Sequence, residues 1–125
     1  MARTRTIIMS VSKKTGDVFD AILNAPGKMI PDARKNNDGS WSFSTPRGNA
    51  KLEFKENRAY GILDHLYVDQ EAQWEVPMRV ISSGEESEVV VTLIKPESLT
   101  DAQFDERMRE IEETFSNLKN LIEKK

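Results

Sequence analysis

The sequence predicts an α+β domain in which a curved antiparallel sheet of about six strands wraps around a long C-terminal helix. Three observations carry this. An alternating strand leads into a short amphipathic helix near the start; segments of two-residue period, joined by turn residues, fill positions 40 to 95; and an apolar stripe at helical spacing runs from Phe104 to Ile122. The helix stripe and the apolar sheet face each require burial, and they can bury each other.

The first strand spans Thr6 to Val11, with Ile7, Met9 and Val11 on one face and Ile8 and Ser10 on the other. From Thr15 to Ala25, Val18, Phe19, Ile22 and Leu23 recur at helical spacing, and Pro26-Gly27 is expected to end the helix. Lys28 to Gly39 reads as a polar loop with room for one helical turn around Met29 to Ala33. Trp41 and Phe43 then alternate with serines, and Pro46-Arg47-Gly48-Asn49 turns the chain into Ala50, Leu52 and Phe54, which forms a hairpin. Ile62 to Val68 is rich in strand formers. In the next strand Trp74, Val76, Met78 and Val80 face one way, with Pro77 marking an edge or a bulge. Ser82-Ser83-Gly84-Glu85 closes a hairpin into Glu88 to Lys95, whose Val89-Val90-Val91 run implies partial burial on both faces.

Pro96 stops that strand, and Thr100 with Gln103 three residues later forms a capping-box start. Phe104, Met108, Ile111, Phe115, Leu118 and Ile122 form the stripe, with Asp101, Asp105, Glu106 and Glu110 in the early turns and Lys119, Lys124 and Lys125 near the end. At ~1.5 Å per residue such a helix is roughly 35 Å long and crosses a small sheet completely.

A chain of 125 residues with 38% hydrophobic and 31% charged residues fits one folded domain over 1–125. No apolar run approaches the ~18 residues of a spanning helix, and Met1 to Arg5 leads straight into the first strand, so the expected location is cytoplasmic with no membrane span. The chain has no cysteine, which excludes disulfides, thiolate nucleophiles and Cys-ligated metals. A net charge of -3 argues against nucleic acid as a partner, and the basic stretch Lys28 to Lys35 reads as a solvated loop. The carboxylates of the last helix follow no metal-loop spacing and a single histidine makes no nitrogen-rich site, so no metal and no cofactor are expected.

Ile7 to Ser12 leading into Thr15-Gly-Asp-Val-Phe-Asp-Ala-Ile, together with the C-terminal helix, resembles the START-like superfamily, the polyketide cyclase and birch-allergen-like domains also called SRPBCC. Gly61-Ile-Leu-Asp-His65, Pro77-Met-Arg-Val80 and Ser87-Glu-Val-Val-Val-Thr-Leu93 resemble strings of a microbial branch of that superfamily. The resemblance spans nearly the whole chain. It implies a helix-grip fold with a mainly apolar cavity between sheet and long helix, in a superfamily that includes lipid carriers, cyclases and regulators of other proteins.

His65, the only histidine, is the first candidate for proton transfer near neutrality. Its neighbour Asp64 cannot orient it within one strand, because successive side chains point to opposite faces. Two phases are open: Leu63, His65 and Tyr67 inward, or Asp64 inward with Ile62, Leu66 and Val68. His65, Asp64 and Tyr67 are therefore the catalytic candidates. Trp41, Trp74, Met78, Phe104 and Met108 share the inward phase and are the candidate walls for an apolar ligand. Arg79 lies in the outward phase and is expected to pair with Glu75 or Glu88. The expected function is binding of a small hydrophobic molecule, a lipid or an aromatic metabolite, by a monomer or weak homodimer. The alternatives are a cofactor-free cyclase or dehydratase using His65 or Asp64, and a protein-interaction module presenting the helix stripe.

Overall fold

The computed structural model describes residues 3–124; Met1, Ala2 and Lys125, which the sequence reading assigned to the start of the chain and the end of the last helix, lie outside the described residues. β1 (Thr4–Val11) is followed by α1 (Thr15–Met29), β2 (Arg34–Lys35), β3 (Trp41–Thr45), β4 (Gly48–Asn57), β5 (Ile62–Val68), β6 (Gln73–Val76), β7 (Met78–Ser83), β8 (Glu86–Ile94) and α2 (Asp101–Glu123). All strands belong to one antiparallel sheet of order β1-β8-β7-β5-β4-β3-β2, with β6 paired to β5.

The strand count exceeds expectation for two reasons. Arg34 and Lys35 pair with Ser42 and Trp41 and so add the two-residue β2 inside the expected loop. The Trp74-to-Val80 strand is split at Pro77, which has no N–H to give to a ladder. The N–H of Met78 turns instead to the Asp64 carboxylate at 2.9 Å, and the Pro77 carbonyl accepts from Thr92 at 3.0 Å. β6 thus stays on β5 while β7 swings onto β8, its ladder pairing with β5 being Ile62 with Arg79.

α1 also differs from expectation, since it continues through Pro26-Gly27 to Met29. Helical bonding resumes beyond the proline, with Ile30 N–H donating to the Pro26 carbonyl at 3.0 Å. The glycine is needed for packing: a Cβ on Gly27 would come within 3.0 Å of the Trp41 ring. α2 begins as expected, with Gln103 N–H donating to the Thr100 hydroxyl at 3.1 Å and Thr100 N–H donating to the Gln103 side chain at 2.8 Å. Its C-terminal end departs from the expected basic turn, because Glu123 is the last helical residue and Lys124 is the cap.

Directly opposed residues share a face, so the register defines the inner surface. Trp74, Tyr67, Leu52 and Trp41 form one row across β6, β5, β4 and β3; Val76, His65 and Phe54 form the next. On the other half of the sheet Met9, Val89 and Val80 line up across β1, β8 and β7. α1 buries Val18, Phe19, Ile22 and Ala25, and α2 buries Phe104, Met108, Leu118 and Ile122, against this surface. Phe104, 1% exposed, alone contributes about 2–3 kcal/mol by leaving water.

The entry to β5 depends on Gly61, which adopts φ 65° after a short turn at Arg58–Tyr60. Its carbonyl accepts from Val80 N–H at 2.8 Å, and a Cβ there would sit 2.4 Å from the Val80 carbonyl oxygen. Gly61→Ala is expected to cost more than the ~1–2 kcal/mol of a left-handed non-glycine residue, since backbone must also move. Urea unfolding measures this, and an unchanged midpoint would contradict the close approach.

Candidate functional site

The register settles which face of β5 turns inward. Leu63, His65 and Tyr67 oppose the buried side of the sheet, and Leu63 is 0% exposed. Asp64 consequently faces outward, where its carboxylate accepts from Met78 N–H and from Arg79. One of the two open phases is excluded here and one expectation is corrected. The phase with Asp64 inward does not occur, since Asp64 serves the bulge at Pro77 from the outer face. Arg79 pairs with Asp64 rather than with Glu75 or Glu88, because Asp64 is the carboxylate that the bulge brings next to it.

The inner surface is not evenly filled. One core cluster gathers Trp74, Met78, Phe104 and Met108 with the rest of α1, α2 and the β1–β8–β7 half of the sheet. A second cluster holds Trp41, Phe43 and Ala50. Phe54 and Tyr67 touch both clusters but are only partly buried. Leu52 and His65 on the sheet, and Ile111 and Phe115 in the middle of the α2 stripe, are partly buried as well. These partly buried side chains, with Ile111 and Phe115 packed against the first cluster and Leu52 against the second, are termed the seam. Of the expected wall residues, Trp41 (8% exposed) borders the seam from the second cluster, whereas Trp74, Met78, Phe104 and Met108 (1–3% exposed) lie within the packed first cluster.

His65 sits in this seam with its ring edge-on to Phe54, centroids 5.4 Å apart. Its Nδ1–H donates to the carbonyl of Leu63 at 3.0 Å. A carbonyl can only accept, so the ring is the Nδ1–H tautomer and Nε2 carries the lone pair. Burial disfavours the imidazolium and lowers the pKa of His65, outweighing the Leu63 carbonyl and the nearby Asp64 charge. Tyr67 is pushed up to about 12, first by burial and then by the adjacent Asp69 carboxylate. The group that orients the His65 ring through Nδ1 is thus the Leu63 carbonyl and not a carboxylate.

A residue that carried no expectation closes one end of the seam. Arg107 on α2 is buried (5% exposed) and donates to Asp69 at 2.6 Å and Glu71 at 2.7 Å. Its guanidinium also lies 5.4 Å from the centroid of the Trp74 ring, which stacks on Phe104. Burial opposes ionisation of Asp69, yet the N–H groups of Glu71 and Ala72 and the Arg107 guanidinium together hold its pKa below the usual carboxylate value. From the β3–β4 turn Arg47 grips Glu110 through two nitrogens at 2.8 Å and reaches Glu71 and Glu106. One signal could have revealed Arg107: it falls on the helix face of Phe104, Met108 and Ile111, where a charge needs a buried partner.

Two open depressions lie away from His65. One, of about 570 Å³, is lined mainly by polar residues such as Asp32, Arg34, Ser42, Ser44 and Lys51. The other, of about 390 Å³, lies between the start of α1, the Arg58–Tyr60 turn and Val80. Among the described residues no His, Asp and Glu cluster is suited to hold a metal ion, and no helix is long and apolar enough to cross a membrane.

No protein-family model matches the chain, and no curated protein matches it. Solved structures do. The Aha1 dimer from Colwellia psychrerythraea superposes with a TM-score of 0.77 at 10% identity, over 97% of this chain and 96% of that one. Norcoclaurine synthase from Thalictrum flavum, in complex with dopamine and hydroxybenzaldehyde, gives 0.66 at 10% identity, over 98% of this chain and 87% of that one. A START superfamily protein from Mycobacterium smegmatis gives 0.62 at 9% identity, over 92% of each. The fold is therefore the helix-grip fold that these structures share, as the resemblance in the sequence implied.

Two outcomes follow for this site. Arg107→Met leaves the Asp69 carboxylate buried without its guanidinium and is expected to cost roughly 3–5 kcal/mol; a denaturation midpoint near that of the parent chain would show the pair to be dispensable. For His65 the unfolded chain binds a proton below about 6.5 while the folded ring resists it, so stability falls as pH drops from that value toward the lowered folded pKa. With no second histidine in the chain, His65→Gln should flatten the change in urea midpoint between pH 7.5 and 5.5. An equal slope in both proteins would count against a resistant His65.

Proposed function

We propose that the chain binds a small, predominantly apolar molecule in the seam bounded by Leu52, Phe54, His65 and Tyr67 on the sheet and Ile111 and Phe115 on α2. The observation that carries this reading is the incomplete burial of these side chains between two well-packed clusters. Isolated exposed apolar residues are ordinary, but five apolar and aromatic side chains from β4, β5 and α2 grouped with one histidine have the composition of a ligand site. The 570 Å³ depression has the opposite character, being lined mainly by polar groups of the outer sheet face.

The arrangement suits binding better than catalysis. His65 has one free nitrogen and no acidic partner on its inner face, and Asp64 is committed to the Pro77 bulge. Aromatic small molecules accompany one structural neighbour, norcoclaurine synthase in complex with dopamine and hydroxybenzaldehyde, which supports an aromatic occupant of this fold.

Titration with N-phenyl-1-naphthylamine, an uncharged probe that brightens in apolar surroundings, tests the proposal. Saturable binding of one probe per chain is expected, weakened at least tenfold by Ile111→Glu, which places a charge in the seam at a cost above ~1.4 kcal/mol. Absence of saturable binding, or full affinity in the variant, would place any ligand elsewhere.

A further inference from the structure

We infer that the seam selects an aromatic amphipath whose O–H or N–H donates to Nε2 of His65, and that it rejects carboxylate ligands such as fatty acids. This rests on the seam being the binding site and specifies what enters it.

The first ground is the histidine tautomer. Nδ1–H is spent on the Leu63 carbonyl, which leaves Nε2 as a lone-pair acceptor on the far edge of the ring, without a hydrogen-bond partner among the described residues. His65 is only partly buried, so a ligand donor can reach it. An acceptor set in apolar walls gains from a ligand donor and loses when the ligand brings only another acceptor.

The second ground is the charge at the end of the seam. Arg47 and Arg107 are the cations of the hydrogen-bonded cluster there, and they are held by Asp69, Glu71, Glu106 and Glu110. Two guanidiniums against four carboxylates leave that cluster at 2 − 4 = −2. The further cation near Glu110, Arg109, is solvent-exposed. At that end of the seam an incoming carboxylate would meet, among the described residues, arginines already paired, excess negative charge and a lone pair, while Lys35 lies beside Trp41 on the edge strand β2.

A matched naphthalene series on the full chain at pH 7.5, followed by calorimetry, separates these terms. 2-Naphthol should bind about fivefold more tightly than 2-methoxynaphthalene, the worth of one net hydrogen bond, and at least tenfold more tightly than 2-naphthoate. In His65→Leu the advantage of 2-naphthol over the ether should vanish while the ether still binds. The comparison within the parent chain decides the matter even if that variant fails to fold. If 2-methoxynaphthalene equals 2-naphthol, or 2-naphthoate binds as well, the inference is overturned with the seam intact. If neither the series nor N-phenyl-1-naphthylamine binds, the seam itself is wrong and the inference goes with it.

Discussion

The structure depends on the buried ion pair between Arg107 and Asp69. One carboxylate oxygen of Asp69 accepts the N–H groups of Glu71 and Ala72, which shapes the turn between β5 and β6, while the other accepts from Arg107 on α2. A single side chain thus ties turn, sheet and helix together. Burying two charges is favourable only when every lone pair and proton is used, and here the remaining Arg107 contacts go to Glu71 and the face of Trp74. Glu71 passes the constraint to Arg47, and Arg47 passes it to Glu110.

Both ends of α2 are tied to the rest of the fold. Its first turns are held by Arg3, Arg47 and the Asp69 turn, and at its other end Glu123 accepts from the N–H of Ser12 while Leu118 and Ile122 join the main core. Between these anchorages Ile111 and Phe115 pack against the main core, and they are less buried than Phe104, Met108, Leu118 and Ile122 on the same stripe.

Proline and carboxylate cooperate on the outer face. The Pro77 break would leave the N–H of Met78 without a strand partner, and Asp64 supplies the acceptor. The same bond fixes Asp64 outward and therefore His65 inward, so a defect in the ladder determines which ionisable group enters the seam. Gly61 allows the strand to begin close to Val80, which holds that phase from the other side.

Features with a local cause were legible in the sequence. The capping box at Thr100 and Gln103, the hairpins, the stripe of α2 and the inward phase of Trp74 to Val80 arise from residues within a few positions of one another. The passage of α1 through Pro26-Gly27 was not legible, because local residue preferences argue for a stop there, and the close approach of the Trp41 ring to Gly27 comes from β3. Nor was the phase of Ile62 to Val68, where both faces carry apolar residues and only pairing with Trp74 and Val76 distinguishes them. By itself the sequence determined the fold class, since periodicity and turn chemistry encode which surfaces must be buried. The direction of His65, the partners of Arg79 and Arg107, and the seam were decided by tertiary structure alone, because charges and register are matched between segments far apart in the chain.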